Sequence, residues 1–236
     1  MERRPDAWIL RDSGFLDRLR DDERAAFRRI CPDRTFAPGD VIFREGDAAD
    51  AMHVVARGRV KLVRTTPDGG ERILGVVGPD DLIGEAFVGD GARYRLDAVA
   101  ATDVVTCPMS REQYRRLARE APRFVESFTE MLTENLFRCR DRLTEGHGPI
   151  RARVAAVLID HARRFGDDRA DRPGWVDVDV ALGHEEIAAM VGATRVSVST
   201  AIADLRRAGR LDGTRGRYAL DVGGLTRVVE GDDAEG

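Results

Sequence analysis

Short apolar runs cut by glycine turns fill the first half of the chain, and helical periodicity takes over in the second. From Arg34 to Met109 turn signals recur roughly every 8 to 12 residues: PGD at 38–40, EGD at 45–47, RG at 57–58, PDGG at 67–70, GPDD at 78–81 and GDG at 89–91. Between them lie VIF, MHVVA, VKLV, ILGVV and AVAATDVVT. Evenly spaced short strands of this kind predict a small all-β barrel or sandwich. A short helical lead-in, about Asp21 to Ile30, precedes it.

From Pro122 the spacing changes. Val125, Phe128, Leu132, Asn135, Cys139 and Arg142 recur at alternating intervals of three and four, a coiled-coil-like seam, and Phe124, Met131, Leu136 and Leu143 supply a second apolar face. Either one face packs on the barrel and the other on a second copy of the chain, or both pack internally. TEGHGP, 144–149, reads as a hinge. IRARVAAVLIDHARRFG follows as a helix with Gly166 as its C-cap, and after a polar loop WVDVDVAL reads as a strand.

The segment 183–211, GHEEIAAMVGATRVSVSTAIADLRRAGRL, has the sharpest pattern. Ile187, Ala188 and Val191 mark one short helix, Gly192 suits a tight turn, and Thr194 is an N-cap for the next helix. In that helix Val198, Ala201, Ile202 and Leu205 form the buried face. Arg195, Val196, Ser199 and Thr200 then lie opposite, and their chemistry suits a major groove: Arg grips guanine, Ser and Thr hydrogen-bond, and Val touches a thymine methyl. Thr194, Ser197, Arg206, Arg207, Arg215 and Arg217 are candidate phosphate contacts. TRGRYALDV, 214–222, reads as a hairpin wing with its tip at Gly216.

Composition sharpens this. The 236 residues are 42% apolar, enough for two domains, and carry a net charge of −4. No global positive field exists, yet residues 195–217 hold six arginines against Asp204 and Asp212, a local balance of +4. Cys31, Cys107 and Cys139 lack CxxC spacing, which argues against an iron–sulfur cluster, a zinc site or a disulfide scaffold and for buried or idle thiols. His53, His147, His161 and His184 form no ligand or catalytic constellation, so neither a haem nor a catalytic site is expected. The amino terminus lacks an apolar signal core and no run is long enough to span a membrane, which points to the cytoplasm.

FAPGDVIFREGD, VVARGRVKLV, DLIGEA, RARVAAVLIDHA and EEIAAMVGATRVSVSTAIADL, in that order and followed by the wing, give the chain a resemblance to the superfamily of the cyclic-AMP receptor protein and the fumarate-nitrate regulator, over roughly residues 15–229. The resemblance implies an α+β protein. Residues 1–121 would be a cyclic-nucleotide-binding-type, jelly-roll-like β-roll with its helical lead-in. A dimerisation helix would span 122–144 and a hinge 145–149, with a winged helix-turn-helix over 150–236. It implies a homodimer whose seam is Val125, Phe128, Leu132, Asn135, Cys139 and Arg142, reading a near-palindromic double-stranded operator with recognition helices roughly 34 Å apart and working with RNA polymerase. Arg195 matches the family's guanine-contacting Arg. Val196 and Thr200 depart from residues common among relatives, which leaves the operator sequence open.

For the sensor, Gly84 and Glu85 match the pair that holds the ribose hydroxyl in relatives that bind cyclic AMP. The phosphate anchor, an Arg followed by Ser or Thr, falls on Tyr94 and Arg95. Because strand side chains alternate faces, Arg93 and Arg95 point away from the phosphate site unless a bulge near Ala92 re-aims one. The adenine-contacting Thr and Ser fall on Cys139 and Arg140. Three readings stay open: a different small anion, no effector, or cyclic AMP in altered geometry, with cyclic AMP the leading single compound. A regulator controlled by abundance, and a sensor module without DNA binding, are the alternatives to an allosteric regulator.

Overall fold

The computed structural model describes residues 19–232 apart from 31, 90, 146, 147 and 215, and omits the side chains of 28 and 141–145. The chain divides into two units, the second comprising the residues from Arg138 onward together with Glu71–Ile73 at the start of the fifth strand.

The first unit opens with α1 (Asp21–Ile30) and continues through strands β1 (Arg34–Phe36), β2 (Val41–Phe43), β3 (Ala51–Arg57), β4 (Val60–Thr65), β5 (Glu71–Val77), β6 (Leu82–Ile83), β7 (Asp97–Ala100) and β8 (Val104–Ser110). They form two four-stranded sheets, ordered β1-β8-β3-β6 and β2-β7-β4-β5. The stretch AVAATDVVT is two strands, not one. Its first half pairs with β2 and β4 and its second with β1 and β3, so the chain changes sheets at residues 101–103. The corner is fixed by tertiary contacts: Thr102 Oγ1 accepts from the Arg59 N–H at 3.0 Å, and a Cβ on Gly58 would meet the Asp103 carbonyl.

After β8 comes α2 (Arg111–Glu120), a helix that the apolar pattern did not predict. Ser110 and Gln113 form a capping box at its start, and among charged neighbours Tyr114 and Leu117 turn inward. Tyr114 gathers an aromatic cluster, with ring centroids 5.4 Å from Phe87, 5.8 Å from Phe124 and 5.2 Å from Phe128. Phe124 and Phe128 belong to α3 (Pro122–Glu145). Together with Met131 they are buried in the first unit's core. One residue of the expected seam is therefore turned inward. Phe128 is committed to its own β-roll by Tyr114, whereas Leu136 and Phe137 are 50% and 54% exposed. Thr129, Leu136 and Cys139 are exposed on α3, with Val125 and Leu132 half-buried against the core beside them; the Arg142 side chain lies outside the described residues.

One thiol expectation is also corrected. Cys107 is fully buried on β8 and is disulfide-bonded, with its partner outside the described residues. Spacing along the chain did not signal it, because a disulfide joins residues by proximity in the fold and not by their interval in sequence. Cys139 is free and exposed.

The second unit runs α4 (Ile150–Phe165), β9 (Asp167–Asp168), β10 (Trp175–Asp179), α5 (His184–Val191), α6 (Arg195–Arg207), β11 (Leu211–Thr214), β12 (Arg217–Asp221) and α7 (Val222–Glu230), with sheet order β11-β12-β10-β9. Val154, Leu158, Ile187, Val198, Ile202, Leu205 and Leu225 are buried. Gly166 does cap α4, but with an extended backbone, so left-handed freedom is not the reason for glycine there. A Cβ would collide with the Val176 side chain and the Ala162 carbonyl. The final helix was hidden by its two glycines; Asp221 starts it by accepting from the Gly224 N–H at 2.9 Å.

His53 on β3 is buried beside Thr106, its Nδ1 3.1 Å from the hydroxyl, and burial, helped by Arg34, pushes its pKa down to about 4. The unfolded imidazole takes up a proton near its usual value of about 6.5, where the folded one stays neutral. Stability is therefore full above that pH and declines by about 3 kcal/mol as pH falls towards the folded value. Urea unfolding measured near neutrality and again in mild acid is expected to show this decline, and His53→Gln to flatten it.

Candidate nucleic-acid interface and sensor cleft

The helix-turn-helix is built by one buried and one exposed stripe on α6. Val198, Ala201, Ile202 and Leu205 are all buried, which leaves Arg195, Val196 and Thr200 facing outward. Between α5 and α6 Gly192 adopts φ 62°, a left-handed conformation that favours glycine. Thr194 caps α6: its Oγ1 accepts from the Ser197 N–H at 3.1 Å and meets Ser197 Oγ at 2.9 Å.

The exposed residues are not chemically equivalent. The Arg195 side chain has no hydrogen bond or ion pair among the described residues, and its five donors are free for a ligand. Val196 is 75% exposed, an exposure that makes sense for an apolar side chain meant to meet a partner. Thr200 donates to the Val196 carbonyl at 3.1 Å and keeps its lone pairs outward. Ser199 is more enclosed. It donates to the Arg195 carbonyl at 2.9 Å and lies 2.9 Å from His184 Nδ1.

The phosphate candidates divide in the same way. Arg206 donates to the Gly213 carbonyl at 2.7 Å and so ties the wing to α6. Arg207 pairs with Asp204 at 2.6 Å, and Arg217 lies 3.8 Å from Asp179 while remaining largely exposed. Arg215 lies outside the described residues. At the base of the wing, Arg210 bridges to Asp221 at 3.2 Å, and Val180 donates to the Gly216 carbonyl at 2.7 Å. His184 and Tyr218, 3.4 Å apart, join this network, although sequence reasoning gave His184 only a core or surface role. The one signal was its place at the first position of α5.

In the sensor, Gly84 and Glu85 begin a 3-10 turn that runs to Val88, with Gly84 at φ 80°. Residues 92–94 pair antiparallel with 46–49: Ala49 donates to the Ala92 carbonyl and Tyr94 to the Asp47 carbonyl, with Ala48 opposite Arg93. Alternation then sends Tyr94 inward, 7% exposed, and leaves Arg93 and Arg95 outside. The Tyr94 ring stacks on Phe43 at 3.9 Å and 14°. Its hydroxyl donates to the Ala51 carbonyl at 2.5 Å. A Cβ at Gly84 would stand 3.0 Å from its Cε1. Burial pushes the phenol above its usual pKa, so this inward group is neutral at physiological pH.

Outside, Arg93 and Arg95 join Arg64, Glu45, Gly46 and the edge of Tyr94 around a cleft of about 320 Å³. Arg93 donates to the Gly46 carbonyl at 2.7 Å, and Arg64 lies 3.8 Å from Glu45. Three guanidiniums against one carboxylate make the cleft net positive. Glu85 is exposed; Cys139 and Arg140 are exposed on α3 in the second unit. Among the described residues no group of His, Cys, Asp or Glu is placed to hold a metal, and no helix is long and apolar enough to cross a membrane.

Residues 33–121 match the family model of the cyclic nucleotide-binding domain, and residues 152–228 that of the Crp-like helix-turn-helix domain. The chain is 31% identical over 208 residues to the CRP-like cAMP-activated global transcriptional regulator of Mycobacterium tuberculosis, covering 87% of this chain and 92% of that one. Among solved structures, FixK2 from Bradyrhizobium japonicum shares the fold, with a TM-score of 0.72 at 21% identity over 84% of this chain and 96% of that one. A CRP-family transcriptional regulator from Thermus thermophilus gives 0.66 at 28% identity, again over 84% and 96%.

Replacing Arg195 by Ala is expected to cost about 1 to 3 kcal/mol of discrimination at one base pair and to relax preference there, read by competition among operator variants. Replacing Arg206 by Ala should instead loosen the wing and weaken binding evenly across sequences.

Proposed function

The chain belongs to the Crp/Fnr superfamily of transcription regulators and is not an enzyme; on that footing we propose that it is a cytoplasmic homodimer that binds a near-palindromic operator through α6 and its wing. The observation that carries the reading is the pairing of a free Arg195 with a highly exposed Val196 on a helix whose other face is fully buried. Arg195, Val196 and Thr200 would read bases, while Thr194, Ser197, Arg207 and Arg217 would position the phosphates. Exposed Thr129, Leu136 and Cys139 on α3, together with half-buried Val125 and Leu132, support dimerisation and keep the alternating spacing of four and three. Contact with RNA polymerase rests on family membership alone.

For the sensor, the neutral Tyr94 ring packed over Gly84 argues against cyclic AMP held as the resemblance implies, since a phenol offers no charge to a phosphate. The positive cleft of Arg64, Arg93 and Arg95 favours a small oxyanion as effector. A second reading, a regulator controlled by abundance, draws on the same Tyr94: an interior filled by the protein's own ring needs no ligand.

Two measurements test these readings. Binding to a random duplex should weaken steeply with salt, and Arg217→Ala should reduce the log–log slope by about 1; salt-independent or absent binding would leave only a sensor module. Calorimetric titration with pyrophosphate should give binding that Arg95→Gln weakens about tenfold, with little heat from cyclic AMP. Heat from neither compound, and unchanged DNA affinity, would establish the effector-free reading.

A further inference from the structure

His184 stands where three elements of the DNA-binding head meet. It is the first residue of α5, its Nδ1 lies 2.9 Å from Ser199 Oγ on α6, and its Nε2 lies 3.4 Å from the Tyr218 hydroxyl on β12. The hydrogen positions follow from counting donors. The single hydroxyl hydrogen of Ser199 is given to the Arg195 carbonyl, so Nδ1 must carry a proton and donate to Ser199. Nε2 is then left as an acceptor for Tyr218, which is buried in the wing. The ring thus holds the first turn of the recognition helix against both α5 and the wing, and it occupies the Ser199 hydroxyl.

Among the described residues the groups that meet the imidazole are Arg195, Ser199 and Arg206 from α6 and Tyr218 from β12, and its own helix carries Glu185 and Glu186 in the same turn, Glu186 occupied in capping the Gly183 N–H. Burial, followed by the charges of Arg195 and Arg206, keeps its pKa below the usual histidine value in the free protein. Nucleic acid reverses that field. In helix-turn-helix complexes the first helix crosses the phosphate backbone, and helix N-termini are common phosphate contacts, so the start of α5 and its His184 meet negative charge together with both arginines. A second proton on Nε2 does not break the lock, because Nδ1 still donates to Ser199 and the Tyr218 oxygen accepts instead of donating.

We propose that His184 is a positioning residue for DNA readout, locking α5, α6 and the wing together, and that DNA binding is coupled to uptake of a proton by its imidazole. The inference rests on the DNA-binding reading above. Because protonation is favoured in the complex, affinity rises as pH falls, by at most about tenfold per head per pH unit.

The full-length protein is titrated with a random-sequence duplex at fixed low salt from about pH 7.5 down to about pH 6. Wild type is expected to tighten by about threefold or more across that range. His184→Gln, whose amide can still donate to Ser199, should lose the pH dependence, its affinity staying level between about pH 7.5 and about pH 6. A flat wild-type profile overturns the proposal without any variant, and so does a His184→Gln profile as steep as wild type. Failure of wild type to bind DNA at any pH instead overturns the DNA-binding reading. Calorimetry in buffers of different ionisation enthalpy provides a second readout: a buffer-independent binding heat at pH 6 excludes proton uptake.

Discussion

Seating the Tyr94 ring between Phe43 and the bare backbone of Gly84 is the contact on which the sensor's chemistry depends. Strand alternation leaves no freedom once that ring is inside: its neighbours Arg93 and Arg95 must lie outside. The same contact explains a glycine at 84, where φ is 80° and a Cβ would press on the ring. It also places a neutral group inside the roll and a positive cleft outside it. A single side chain thereby separates the inherited nucleotide-binding fold from the residues available for binding an anion.

In the DNA-binding head, internal bonds limit which polar groups can read DNA. Arg206 and Ser199 both hold the backbone, one bracing the wing at Gly213 and the other completing a turn of α6 at Arg195. A hydroxyl with its hydrogen committed cannot donate to a base without breaking an existing bond. The residues left open are Arg195, Val196 and the lone pairs of Thr200, a mixed charged, apolar and accepting surface. Rigidity of the helix and freedom of its outer face come from the same network.

The apolar positions of α3 show how packing corrects a pattern. Intervals of three and four on this helix allow two overlapping seams that differ by one position at 128 and 135. Tyr114, on a helix that carries little apolar signal, draws Phe128 into the β-roll, while Thr129 and Leu136 stay exposed. Exposure of Leu136 and Phe137 is costly for a lone chain, and a second helix laid along this face would remove it.

Turn spacing and helical periodicity alone determined the β-rich first half, the long helix from Pro122, the buried stripe of α6 and the Thr194 cap, because each is a local consequence of side-chain period or capping chemistry. The inward turn of Tyr94 follows from a period of two only once the resemblance has placed the strand and no bulge intervenes. What lies between elements was not legible: the change of sheets at 101–103, the disulfide at Cys107, the seating of Phe128 and the joining of His184 to Ser199 and Tyr218. Each depends on groups brought together from distant parts of the chain, and a one-dimensional pattern holds no record of which distant neighbours will meet. The tertiary structure decided those contacts, and through them which polar groups remain free to bind.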